Sequence, residues 1–313
     1  MMQFGEYRVE VIPDTEFRLD GGAMFGVVPR VVWERVSPPD EKNRIRMNMN
    51  CLFIDTGKDK ILIETGIGEK WSQRQTEMYG IFREKPLADT LFERTGCTTD
   101  DITIVINTHL HFDHAGGNTI NAECGTRTAE YGSELPSQIS GGANSVDAAN
   151  KIPQSAFRIP QFKNARYLVS ASELAHAENP HERDRASYLP ENWRPMQETG
   201  QLEPMPDDYE PVPGLKVQTA RGHSETMQTW RLDRGGQTLF GFADLIPTRH
   251  HVPLPWIMGY DLYPTETLEF KKKHLPAALD EGWFCLFYHD LETPICKLAE
   301  SNGKIIASGI YHQ

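Results

Sequence analysis

Residues 107–117, NTHLHFDHAGG, constrain this chain more than any other stretch. They follow the apolar run 102–106, Ile-Thr-Ile-Val-Ile, which is β-branched throughout and reads as a strand. His109, His111, Asp113 and His114 therefore sit on a loop at a strand's C-terminal end. Three imidazoles and a carboxylate packed this closely offer neutral nitrogen donors and one hard anionic oxygen, the set that a borderline-soft divalent metal wants. In an extended segment His109 and His111 point the same way, while Asp113 and His114 turn to address a second position. Gly116 and Gly117 allow the backbone to pass close to a neighbour. Any fold for this chain has to present that loop at the end of a buried strand.

The rest of the chain reads as mixed α/β. Short β-branched or aromatic runs bounded by turn formers predict strands at 7–12, 49–55, 60–63, 102–107, 215–219, 229–232, 238–242 and 283–288. Residues 86–95, PLADTLFERT, predict a helix with Leu87, Thr90, Leu91 and Phe92 on one side and Gly96 as its stop. A second helix is expected to start at a Thr265 cap and run through Leu268 and Leu275, with Pro276 kinking or ending it. Its run Lys271, Lys272, Lys273 reads as a solvated face. The strands come first in hairpin-like pairs and later alternate with helices, which favours sheets covered by helices. Residues 118–162 are rich in Gly, Ser, Asn and Ala without a sustained period, and read as a long inserted loop, either a lid over a site or a disordered segment.

Charge and cysteine usage narrow the function classes. Against 32 Lys and Arg stand 44 Asp and Glu, a formal net charge of -12, so a nucleic-acid partner is not expected. The five cysteines, Cys51, Cys97, Cys124, Cys285 and Cys296, are scattered and never form a CxxC pair, which argues against a disulfide framework or a thiolate zinc site. No basic segment followed by an apolar stretch opens the sequence, and no apolar run approaches the ~18 residues of a membrane span. A cytoplasmic protein without a membrane partner is expected, with a homodimer compatible with this reading.

HxHxDH after a strand resembles the metallo-β-lactamase superfamily. That resemblance implies an α/β fold, the αβ/βα four-layer sandwich of two mixed β-sheets flanked by helices, filled here by one domain over residues 1–313 with the insertion at about 118–162. The family supplies a later His, a bridging Asp and a last His, and this chain has candidates in order: His223 in GHS, Asp244 in GFAD and His289 in FYH, each at the end of a strand-like run. Carried over, one metal is held by His109, His111 and His223 and the other by Asp113, His114 and His289, with Asp244 between them. The resemblance implies two divalent ions, zinc first, that share a hydroxide. Coordination lowers the pKa of bound water from 15.7 toward ~7, and Asp113 is placed to pass its proton to the leaving group. Where the family has an Asp in a strand-end DTG, this chain has Glu64 in Glu64-Thr65-Gly66.

Residues 19–34, 185–195 and 243–264 are similar to the branch that contains quorum-quenching N-acyl-homoserine-lactone lactonases. The implied function is a dinuclear zinc hydrolase opening a lactone or similar ester, with phosphotriesterase, aryl esterase and β-lactamase as alternatives on the same scaffold. A diiron oxidoreductase is disfavoured because that branch resembles HxExDH and His111 fills the Glu slot. Met24, Phe25, Trp33, Trp256, Ile257, Met258 and Tyr260 suggest a small-molecule substrate with an apolar acyl or aryl group, unless they belong to the core. Some lactonases of the superfamily place a Tyr three positions after the bridging Asp; here Pro247 stands there, and His251 is the expected substitute donor to the oxyanion.

Overall fold

Two seven-stranded sheets organise the chain, and the computed structural model describes residues 1–122 and 158–310 of it. The first sheet contains β1 (Met2–Phe4), β2 (Tyr7–Asp20), β3 (Arg44–Asp55), β4 (Lys60–Ile63) and β5 (Ile104–Ile106). A separate ribbon, β6 (Thr119–Asn121) with β7 (Arg158–Pro160), follows, after which β8 (Arg166–Ser170) and β9 (Leu202–Met205) complete the first sheet. Its first strands pair antiparallel, whereas β4, β5, β8 and β9 are parallel neighbours. The second sheet runs through β10 (Asp208–Val212), β11 (Leu215–Thr219), β12 (Gln228–Arg234), β13 (Gln237–Gly241), β14 (Phe284–Leu286), β15 (Ile295–Ser301) and β16 (Lys304–Ile310) in chain order, with β13 and β14 parallel.

Side-chain alternation sorts the first sheet's residues into two apolar layers. Leu52, Ile54, Ile61, Ile63, Ile104, Ile106 and Leu168 pack in one cluster with Leu215, Val217, Trp230, Leu232 and Leu239 of the second sheet. Their strand neighbours Cys51, Phe53, Leu62, Val105, Tyr167 and Val169 enter another cluster with Leu87, Leu91, Ala177, Trp193 and Met196, which lie on or beside helices. Burial on both faces is why β4 and β5 read as unbroken apolar runs rather than alternating ones. The two mixed sheets with flanking helices form the αβ/βα sandwich that the sequence implied.

Four local expectations are corrected. Helix Leu87–Thr95 ends at Gly96 in the left-handed region as expected, yet Phe92 is 56% exposed, so the buried stripe is Leu87, Thr90 and Leu91. Helix Pro264–Asp280 begins one residue before Thr265, because Pro264 can occupy a first turn whose N–H has no helical partner. Pro276 does not end it: Leu275 and Ala278 on either side are buried, and Glu281 N–H closes the last turn on Ala277 O. Lys271 is not part of a solvated face. It is fully buried, and its ammonium donates to the carbonyls of His251 (2.6 Å), Pro253 (2.7 Å), Trp256 (2.9 Å) and Leu254 (3.2 Å). Cys51, Cys97, Cys285 and Cys296 are free and buried.

The insertion expected at 118–162 starts and ends on the ribbon, where Thr119 pairs with Pro160 and Asn121 with Arg158. Its middle, 123–157, lies outside the described residues, as does Cys124. Among the described residues no helix is long and apolar enough to cross a membrane.

Candidate metal centre

The ligand loop is shaped by close backbone contacts. β5 ends at Ile106, His111 is the N-cap of the short helix Phe112–Ala115, and Ala115 N–H bonds back to His111 O at 2.9 Å. A Cβ on Gly116 would stand 2.2 Å from Ile67 O and one on Gly117 2.1 Å from Thr65 O, so the turn after the ligands tolerates only glycine. His223 arrives from the loop after β11, Asp244 from the turn after β13, and His289 from the segment after β14. All come from strand ends at one edge between the sheets.

The structure brings all seven candidate residues together. His109, His111 and His223 form one group and Asp113, His114, Asp244 and His289 another, each with donor atoms within 4.8 Å of one another. Asp244 faces both: Oδ1 lies 3.1 Å from His114 Nε2 and 3.1 Å from His289 Nε2, while Oδ2 lies 3.5 Å from His223 Nε2. Asp113 Oδ2 is 3.6 Å from His289 Nε2. Every one of the seven is buried. Yet His109 Nε2, His111 Nε2, both ring nitrogens of His114 and Asp244 Oδ1 have no hydrogen-bond partner among the described residues. Leaving one buried polar group unsatisfied costs about 1–3 kcal/mol, so five in one basin mark a place built for something else to complete them. The donor chemistry fits divalent metal.

The electrostatics divide the histidines: burial opposes charge on His114 and His289, but Asp244 outweighs it and raises both. Burial, reinforced by neighbouring imidazoles, holds His109 and His111 well below the usual histidine range, in the neutral form a cation requires. Burial opposes ionisation of Asp244, but His114 and His289 outweigh it and keep the carboxyl well below its ordinary value.

Around the donors a ring of fixed groups orients them. Thr108 Oγ1 lies 3.0 Å from His109 Nδ1, Asp261 Oδ1 3.1 Å from His223 Nδ1, and Asn48 O 3.0 Å from His289 Nδ1. Glu64, in the left-handed region with φ 64°, sits 3.4 Å from His114 Nδ1 and accepts from Thr108 N–H and Oγ1. It also lies within metal-binding reach of His109 and His114, but its carboxylate already serves Thr108 and Asn107. Sequence reasoning missed three others. Asp261 was hidden in an apolar-aromatic stretch; Glu173 is fully buried on helix Ala171–Glu178 and accepts from Leu110 N–H at 2.7 Å; Tyr188 packs its ring 4.6 Å from that of His111. Burial pushes the Glu173 carboxyl up to about 7.

A cavity of about 220 Å³ opens over this basin. Leu19, Met24, Met47, Phe112 and Met258 supply apolar wall, and Tyr79, Tyr260 and Arg183 supply polar groups. Of the apolar residues singled out from sequence, Met24, Met258 and Tyr260 line it, whereas Phe25 and Trp33 stack on each other in the core and Trp256 packs edge-on against Phe25.

His251 is the expectation the structure overturns. It is fully buried outside that cavity, stacked on Phe25 with centroids 4.7 Å apart. One ring nitrogen pairs with Thr248 Oγ1 at 2.7 Å and the other with Met24 O at 2.9 Å, so neither is left for a substrate. The apolar run after it does turn inward, but it carries His251 into the core rather than to the pocket.

Comparisons with known proteins agree with this architecture. Residues 45–120 match the model of the metallo-beta-lactamase superfamily. An N-acyl homoserine lactonase of Bacillus cereus is 31% identical over 85 residues, 24% of this chain and 34% of that protein. The chain thus spans about a third of the length of this curated relative. A probable metal-dependent hydrolase from Staphylococcus aureus superposes with a TM-score of 0.82 at 26% identity, over 100% of this chain and 99% of that one. AidC, a dizinc quorum-quenching lactonase solved with an N-hexanoyl-L-homoserine product, gives a TM-score of 0.72 at 18% identity, over 100% and 97%. Two sheets meet at an edge that gathers every residue of the HxHxDH, His, Asp, His series, and in this fold and in residues 45–120 the chain resembles the metallo-β-lactamase superfamily and its lactonase branch.

Proposed function

We propose that this protein is a dinuclear metal-dependent hydrolase that opens a lactone or similar ester, with N-acyl-homoserine lactones as the leading substrate class. The observation that carries the reading is the basin of buried, unpartnered imidazole and carboxylate atoms beneath an apolar-walled cavity. His109, His111 and His223 would hold one ion and Asp113, His114 and His289 the other, with Asp244 facing both groups. When bound, such a pair of ions, zinc first among candidates, supplies an activated water at neutral pH and polarises the carbonyl under attack.

The chain's own residues do the rest. Thr108, Asp261 and Asn48 O fix the ring orientations of His109, His223 and His289, so these donors are in place before a substrate arrives. Asp113 lines the cavity beside His289, where its carboxylate can take the proton released on attack and return it to the leaving alkoxide. Leu19, Met24, Met47 and Met258 exclude water and receive an apolar acyl group. The lactonase relatives support the ester class, as does the product held by AidC.

The test is hydrolysis by the zinc-loaded protein of acyl-homoserine lactones of graded chain length, a phosphotriester, an aryl ester and a β-lactam. The reading expects the lactones to show the highest kcat/KM. A preference for the phosphotriester or β-lactam, or inertness toward the whole panel, would displace it.

A further inference from the structure

Because His251 is committed to the core and Pro247 has no side-chain donor, the cavity needs hydrogen-bond donors from elsewhere. Among the described residues lining it, two stand beside the metal basin with their phenol oxygens engaged in no hydrogen bond: Tyr79 and Tyr260. Both line the cavity together with His111, Asp113, His223, Asp244 and His289, and the Tyr79 ring lies 5.2 Å from that of Phe112, the residue before Asp113. Arg183 also lines the cavity, but its guanidinium already donates to Gly259 O.

Each phenol is mounted on a fixed platform. Tyr79 is the last residue of helix Gln73–Tyr79, its ring held between Trp71 (centroids 5.4 Å) and Phe112 (5.2 Å). The end of that helix is pinned by Arg44, which donates to Glu77 O at 2.9 Å and to Met78 O at 2.7 Å. Tyr260 sits between Gly259, whose N–H bonds Ala23 O at 2.7 Å, and Asp261, whose carboxylate steadies His223. A side chain anchored at its base, with a free hydroxyl in a cavity, is arranged to meet a ligand rather than to stabilise the fold.

We infer that the hydroxyls of Tyr79 and Tyr260 are the substrate-positioning donors of this site, hydrogen-bonding the carbonyl oxygens of a bound acyl-lactone or ester in the role that Pro247 leaves vacant. This rests on the hydrolase reading above for the identity of the substrate. Burial, with Asp20 and Asp113 nearby, pushes Tyr260 up to about 12, and burial with Asp113 raises Tyr79, so both phenols stay protonated as donors through neutral pH. Two donors on one cavity match a substrate with two carbonyls, one scissile and one in an amide substituent.

The experiment compares the zinc-loaded wild type with Tyr79→Phe, Tyr260→Phe and the double variant. Phe keeps the ring packing, so the hydroxyl alone is tested. Each single change should lower kcat/KM for an acyl-homoserine lactone about tenfold and the double change about a hundredfold, as for loss of one and two hydrogen bonds. Zinc content should be unchanged. Calorimetric binding of the lactam analogue, in which an amide replaces the scissile ester, should weaken in the same order. Wild-type kcat/KM and wild-type lactam affinity in all three variants overturn the inference while leaving the hydrolase reading intact. A wild type that binds the lactam but opens no ester contradicts the hydrolase reading, and the variants' weaker binding then still supports the donors. A wild type that neither binds nor hydrolyses overturns both.

Discussion

Two buried polar regions lie close together in this protein and are built on opposite principles. In one, around Lys271 and His251, every donor is answered: the ammonium by four carbonyls, the imidazole by Thr248 Oγ1 and Met24 O. In the other, His109 Nε2, His111 Nε2, both ring nitrogens of His114 and Asp244 Oδ1 have no hydrogen-bond partner among the described residues. Both contain histidines on loops that leave strands, and both are nearly inaccessible. Burial pushes His251 down to about 3 and lowers His111 as well, so the neutral state does not separate them. What separates them is satisfaction. The closed network holds loop 251–256 in place, whereas the open one is poised for ligands from outside the chain.

The largest expected effect falls on the open region. Asp244→Ala removes the carboxylate that faces both groups of imidazoles, and turnover should fall by more than the ~10²–10³-fold that a single lost donor costs. The folded state should survive, and a chelator that lowers the melting temperature of the wild type should leave this variant unmoved. Undiminished turnover would break the comparison at its centre.

Lys271→Met probes the closed region. The apolar stem is kept, but four carbonyls lose their donor, and unfolding free energy should drop by about 2–4 kcal/mol. Denaturant titration measures this, and zinc content should stay at the wild-type level. A variant as stable as the wild type would show that the carbonyls find other partners and that the cage is incidental.

A smaller change is expected for His251→Phe, which retains the stack on Phe25 while leaving Thr248 Oγ1 and Met24 O without their partners. The cost should be on the order of 1–2 kcal/mol in stability. Its kcat should stay within about twofold of wild type, because the residue is outside the cavity. A large loss of kcat with stability intact would return His251 to the site and blur the distinction between the two regions.

Much of the open region was legible in the sequence because each of its donors follows a β-rich run: Ile102 to Ile106 before the HxHxDH, 215–219 before His223, 238–242 before Asp244. Apolar period and a clustered motif carry that information locally. The closed region carries no such mark. Lys271 is one of three consecutive lysines, and which of them is buried depends on how loop 251–256 folds over helix Pro264–Asp280. Glu173 and Asp261 act on residues 63 and 38 positions away, so a lone acidic residue gives no sign of its partner. His251 was misassigned for the same reason: inward-turning apolar neighbours predict burial, but not whether burial ends in the core or at a pocket. The strands β4 and β5 are legible from their apolar runs, while the helix continues past Pro276, where Leu275 and Ala278 are buried.

The central claim is that the unpaired donors form a site for two divalent ions. Elemental mass spectrometry of the purified protein, quantified against chain concentration before chelation and again after chelation and reconstitution with zinc, tests it most directly. Close to two ions per chain are expected in the wild type, with a clear deficit in Asp244→Ala. A wild type that holds no divalent ion, even after incubation with excess zinc, would contradict the account.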